Sequence, residues 1–258
     1  MASYTIIGAT LRGRQGTWRI DVRRGVFDAI VKDGDGAPAD AILDQMIALA
    51  VAADGPLDLH LDFSDDAADI LLDAVVPRVE AAGLQGRVFV GHLTALTAAA
   101  PAQVHELANA TAGAGITVVS IPTTDLYLSG RKARQAPTRG VTRIEELSAA
   151  GIPVALASNN CENAFTPVTL PSLSQAAWLA SLTNYLGTRN QQIRLLDAIT
   201  DVPRAAMATV VPGLAVGAPM GAIALPVADA VDVVHSSARP SWRFTADDAC
   251  ATTGRQRT

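Results

Sequence analysis

Residues 57–66, LDLHLDFSDD, set a short apolar run against a cluster of polar residues, and the same design recurs at 87–94 (RVFVGHLT), 116–127 (ITVVSIPTTDLY) and 153–163 (PVALASNNCEN). Each run is continuously apolar, as a strand buried on both faces must be. Between and after the runs the apolar spacing changes to a helical period, which predicts helices over about 66–82, 101–114, 142–150, 172–186 and 189–199. Strand and helix in alternation at this spacing argue for parallel β/α units. A closed (β/α) barrel needs eight strands and roughly 250 residues. Four strands therefore make an α/β half barrel.

Upstream of this block, DAILDQMIALAVAA (40–53) reads as a helix with Ile42, Met46, Ile47 and Ala50 on one face. Before it, 4–11, 17–22 and 25–31 are β-branched runs separated by Gly and Arg-Gly turns, the pattern of an antiparallel meander. Downstream, 213–244 returns to short strands and Gly/Pro turns and is expected to pair with 4–31. The expected organisation is a small β-sandwich module from both chain ends (1–36 and 211–246), a half-barrel domain (37–210) and a polar, disordered tail (247–258).

Composition narrows the function classes. With 258 residues, 49% of them hydrophobic, the chain can bury a sizeable core. Its net charge of −5 and scattered Lys and Arg leave no basic patch for a phosphate backbone or an anionic membrane surface. Cys161 and Cys250 are the only cysteines, too few for a disulfide framework or a Cys-based zinc site, and a reducing cytoplasm is the expected location. No stretch has the apolar length of a membrane span, and the first residues lack the pattern of a secretory leader. The signatures GxSxG, GxxxxGK[ST], HExxH and CxxC are absent. The sequon Asn109-Ala-Thr111 reads as a chance match, Asp33-Gly-Asp-Gly36 as a surface turn, and Trp178 with Tyr185 as core packing on one helix face.

In parallel β/α folds chemistry collects at the C-terminal strand ends. Here those ends carry His60, Asp62 and Phe63; His92 and Thr94; Asp125 and Tyr127; and Asn159 and Asn160. Two histidines at consecutive strand ends, with acids beside them, suit proton transfer. His60 and His92 are candidate base and acid, and Asp62 or Asp125 is a candidate partner that orients a histidine. Phe63, Thr94, Tyr127, Asn159 and Asn160 are candidate substrate contacts. Cys161, beside Glu162, is expected to be inert, because an acidic neighbour disfavours the thiolate.

The runs DLHLDFSDD, GRVFVGHLTAL, AGITVVSIPTTDLYLSGR, RGVTRIEELSAAGIPVALASNN and FTPVTLPSLSQAAWLASLTNYLG resemble the second half of the cytosine deaminase branch of the amidohydrolase superfamily. IIGATLRGRQGTWRIDVRRGVFDAI and GLAVGAPMGAIALPV are similar to that family's split β-sandwich. The resemblance implies strands 5–8 of the barrel. It also implies a comparison with the family's metal site, which uses an HxH pair, a His on strand 5, an Asp on strand 8 and a proton-shuttling Glu. His60 matches the strand-5 ligand and His92 the strand-6 His. Phe63 stands where the Glu would be, Asn159 where the Asp would be, and the chain contains no HxH. The departures imply no metal or other cofactor held by this chain, and a metal-independent enzyme acting on a small nitrogen-containing or amide-like molecule. A non-catalytic binding or interaction subunit, and a split hydrolase completed by a partner, are the alternatives. Half a barrel also leaves raw sheet edges, so a homodimer or a partner subunit is expected to cover them.

Overall fold

The computed structural model describes residues 3–10, 17–23, 26–32, 39–131, 135, 139–163, 166–209, 216, 222–244 and 251–252. The chain divides after Asp54 into two units. In the first, β1 (Ser3–Thr10), β2 (Thr17–Arg23) and β3 (Val26–Lys32) form an antiparallel sheet in that order, with Ile20 opposite both Ile6 and Ile30. Helix α1 (Ala39–Ala52) follows and buries Leu43, Ile47 and Ala50. The expected boundary at residue 36 lies outside the described residues.

The second unit is built on β4 (Leu57–Leu61), β5 (Val88–His92), β6 (Thr117–Ser120) and β7 (Val154–Leu156), all parallel and hydrogen-bonded in sequence order. The helices of the unit are α2 (Leu72–Ala81), α3 (Pro101–Gly113), α4 (Pro122–Leu128), α5 (Ile144–Ala149), α6 (Leu173–Thr183), α7 (Arg189–Ala198) and α8 (Asp201–Ala206). The pairing register sorts the side chains. Leu57, Leu59, Val88, Val90, Val118, Val154 and Leu156 share one face and are buried. Successive strand residues point to opposite faces, so Asp58, His60, Phe89, Gly91, Thr117, Val119 and Ala155 share the other. Asp58 and His60 on that face are exposed.

Two local differences from the sequence reading have clear causes. The expected helix over 66–82 is broken into a 3-10 turn (Ala67–Asp69), capped by Asp66, and α2, whose first N–H groups are taken by Asp62. The segment after β6, where the sequence pattern predicts no helix, is the helix α4. Pro122 occupies its first turn, where a fixed φ and a missing N–H are tolerated.

The closing segment forms β8 (Ala222–Ala224), helix α9 (Asp232–His235), β9 (Trp242–Phe244) and β10 (Ala251–Thr252). These strands pair in the order β10-β9-β8. Ala251 and Thr252, placed in the disordered tail by the sequence reading, pair with Arg243 and Trp242. Trp178 and Tyr185 do not pack in a core as expected. Trp178 is 38% exposed because α6 buries its other face through Ala176, Ala177 and Ala180, and Tyr185 is 92% exposed because it lies beyond the helix end, with φ 56°.

Leu72 is completely buried at the start of α2. Leu72→Ala is expected to cost about 2–5 kcal/mol, from lost transfer energy and the cavity left behind. Urea unfolding should show this as a lower midpoint with an unchanged slope.

Candidate functional site

The site begins with a departure from strand geometry at the end of β5. In the register of β4 and β5, His92 lies beside Leu61, so regular pleating would aim it away from the face that carries His60. His92 instead has φ 75°, and Leu93 after it has φ 57°. A left-handed φ rotates the Cα–Cβ bond about N–Cα and swings the ring toward His60. Such a conformation costs on the order of 1–3 kcal/mol per non-glycine residue and persists only where neighbours enforce it. Thr142 supplies part of that enforcement by donating its buried hydroxyl to the His92 carbonyl at 2.7 Å.

The result is a chain of three side chains. His60 Nδ1 lies 3.1 Å from His92 Nε2, and His92 Nδ1 lies 2.7 Å from Asp125 Oδ1. Asp125, on α4, is fully buried and cannot donate when ionised, so His92 Nδ1–H is the donor. His92 Nε2 is then an acceptor for His60 Nδ1–H, which leaves the Nε2 lone pair of the exposed His60 facing outward. Burial pushes the Asp125 carboxyl above the usual carboxylate range, and the hydrogen bond from His92 opposes that shift. Among the described residues Asp125 Oδ2 has no hydrogen-bond partner, and neither has the buried hydroxyl of Ser120 at the end of β6.

The structure distributes the sequence candidates among different tasks. His60, His92 and Asp125 come together, and the Phe63 ring lies edge-on to His92 with centroids 5.2 Å apart. Asp62 does not orient a histidine. Its two oxygens accept the Leu71 and Leu72 N–H groups at 2.7 and 3.3 Å, which caps α2, and burial raises its pKa. Thr94 is fully buried, and its hydroxyl is engaged with the Ser64 N–H and the carbonyls of Asp62 and Ser64. It closes the 62–64 turn and is not placed to touch a substrate. Tyr127 lies in a separate pocket under the Arg131 guanidinium. Asn159 is exposed with φ 45°, and Asn160 accepts from the Asn163 amide at 2.8 Å.

Sequence reasoning missed Thr142, which stands outside every strand end and motif that could have singled it out. Gly140 beside it is a close-packing point, where a Cβ would come 3.2 Å from Thr94 Cβ.

The ligands of a resident metal do not assemble. Among the described residues no group of three or more His, Cys, Asp or Glu side chains could hold a metal ion. Zinc sites in enzymes keep three protein ligands. His60 Nδ1 and His92 Nε2 face each other, and the next strand end offers the neutral amide of Asn159. The residues of this chain alone do not fit the metal that the resemblance implies.

A carboxyl whose pKa is raised by folding stabilises most when protonated. Its contribution is present below the unfolded value of about 4 and is lost as pH rises through the folded value. Asp125→Asn keeps an acceptor for His92 Nδ1–H and removes the buried charge. It should melt at a higher temperature than wild type at neutral pH, with a weaker fall in melting temperature as pH rises above about 4. An unchanged pH profile would contradict the role of burial.

Comparison with known proteins gives the same lineage. Over 131 residues, 49% of this chain and 29% of the relative, it is 38% identical to a pterin deaminase of Rhizobium rhizogenes. The fold is similar to that of 5-methylcytosine deaminase from Klebsiella pneumoniae, with a TM-score of 0.77, 23% identity, and coverage of 85% of this chain and 53% of that one. It is also similar to N-isopropylammelide isopropylaminohydrolase from Burkholderia multivorans, with a TM-score of 0.68, 20% identity and coverage of 80% and 50%. The chain thus spans about half the length of these solved relatives, and less of the curated one. Four parallel strands with flanking helices correspond to part of the amidohydrolase barrel. Residues 18–207, well over half of the sequence, match the Amidohydrolase family, and the chain belongs to that family.

Proposed function

We propose that this protein is a metal-independent acid/base enzyme that acts on a small, flat, nitrogen-containing molecule. The observation that carries the reading is the chain His60–His92–Asp125, in which a buried carboxylate orients one imidazole and that imidazole orients a second, exposed one. His60 Nε2 is the base. As it takes a proton, His60 can pass its Nδ1 proton to His92 Nε2, and the resulting imidazolium sits against the Asp125 carboxylate. The same path run backwards delivers a proton, as cyclisation, elimination or isomerisation requires. Phe63, 41% exposed beside His92, offers an apolar ring for stacking. Pterin and 5-methylcytosine, named for the relatives, are flat nitrogen heterocycles, and molecules of that class are the first to try.

Two features support an assembly around this site. Among the described residues the sheet ends at β4 on one side and β7 on the other, and the chain covers only about half of each matched solved relative. We extend the proposal to a second copy or a partner subunit that covers the open half barrel. The exposed Phe63 also favours a second reading, in which the pocket binds a flat ring without turning it over.

The purified chain, treated with a chelator, is incubated with a panel of such heterocycles, and products are followed by liquid chromatography and mass spectrometry. Turnover should survive the chelator and fall by about 10²–10⁴-fold in His60→Ala, the range for a lost general base. Activity that needs added metal, or that persists in both His60→Ala and His92→Ala, would contradict the proposal. Saturable binding with no product would favour the second reading. Light scattering at micromolar concentration should give a mass above the monomer, and a monomeric mass would contradict the assembly.

A further inference from the structure

A second polar cluster lies between α4 and α6. Thr123, Leu126 and Tyr127 occupy one face of α4, Gln175 and Leu179 are a turn apart on α6, and Val168, Thr169 and Arg139 complete a pocket with a cavity volume of about 270 Å³. Asp125 leaves α4 toward His92, so the pocket is not the histidine site. Its walls are apolar at Leu126, Val168 and Leu179, and its polar groups are of two kinds. Gln175 Oε1 is a buried acceptor without a hydrogen-bond partner among the described residues. The Arg139 guanidinium donates to the Leu126 carbonyl at 2.9 Å and forms no ion pair among the described residues. A second guanidinium, that of Arg131, stacks over the Tyr127 ring at 4.9 Å from its centroid.

These groups ask for opposite things of a ligand. An unpaired buried acceptor costs about 1–3 kcal/mol, which a donor would recover and an anion would worsen. A guanidinium fork without a carboxylate partner is matched by a carboxylate or phosphate and repelled by a cation. The apolar walls and the Tyr127 ring in the same lining suit a flat ring.

We infer that the α4–α6 pocket is a ligand site for a small aromatic or heteroaromatic carboxylate that carries an N–H donor on the far side of its ring. The donor meets Gln175 Oε1, the carboxylate meets Arg139, and the ring lies along Tyr127, Leu126 and Leu179. Because α4 bears Thr123, Leu126 and Tyr127 on the pocket side and Asp125 on the other, an occupant bears on the helix that positions Asp125.

The test is calorimetric titration of the full chain with 4-aminobenzoate, which has both ends, and with benzoate and aniline, which have one each. The expected result is saturable binding of 4-aminobenzoate at least about tenfold tighter than either. Gln175→Leu should abolish the advantage over benzoate while raising the melting temperature, since it removes an unsatisfied buried acceptor. Arg139→Met should abolish the advantage over aniline. His60→Ala should leave all three titrations unchanged, so that loss of the catalytic reading would not touch this one. Absence of saturable binding, binding indifferent to both pocket variants, or binding lost in His60→Ala would each overturn the site.

Discussion

A carboxylate buried away from water has to be met by a proton donor, and the arrangement around Asp125 follows from meeting that need with His92 Nδ1 at 2.7 Å. The contact fixes the His92 tautomer, and the tautomer fixes which atom of His60 faces outward. To make it, the backbone at His92 and Leu93 turns left-handed at the end of β5, against the preference of both residues. Thr142 holds the His92 carbonyl, Thr94 ties the 62–64 turn to the same loop, and Asp62 starts α2 directly behind that turn. Each of these polar residues is buried, and each closes a bond that keeps the strained end of β5 in place.

Much of the fold could be read from the sequence because it rests on period and burial. The four apolar runs lie where β4–β7 form, and α3, α6 and α7 fall close to their expected limits, since largely apolar strands and amphipathic helices write strong patterns. Short helices were less visible. In α4 the run Pro122-Thr-Thr-Asp125 looks like a loop by propensity, and it is packing of Thr123, Thr124 and Asp125 that makes it helical. Helical spacing put Trp178 and Tyr185 on one face, and it could not show that α6 stops at Thr183 or that Trp178 is turned to solvent.

At the site, residue type and strand end were enough to bring His60, His92 and Asp125 onto one short inventory. They were not enough to divide labour between Asp62 and Asp125. Both are acidic, both follow a strand and both are buried, and only the positions of the Leu71 and Leu72 N–H groups make one a cap and the other a histidine partner. Nor could the sequence say that His92 leaves β5 on the unexpected side, because pleating predicts the opposite and only a positive φ reverses it. Family membership, in turn, accounts for the parallel strands and their order. The chemistry has to be argued from the side chains, because a fold shared by many enzymes does not choose among reactions.

The central claim is that His60 and His92 move protons without a metal, with Asp125 behind them. Its most direct test is elemental analysis by mass spectrometry of the purified, untagged protein, expressed with zinc, iron and manganese in the medium and compared with a buffer blank. The account predicts metal well below one equivalent per chain, the same for wild type and His60→Ala. Near-stoichiometric zinc, iron or manganese that is lost in His60→Ala would contradict it, and would mean that His60 is a metal ligand in a site completed from elsewhere.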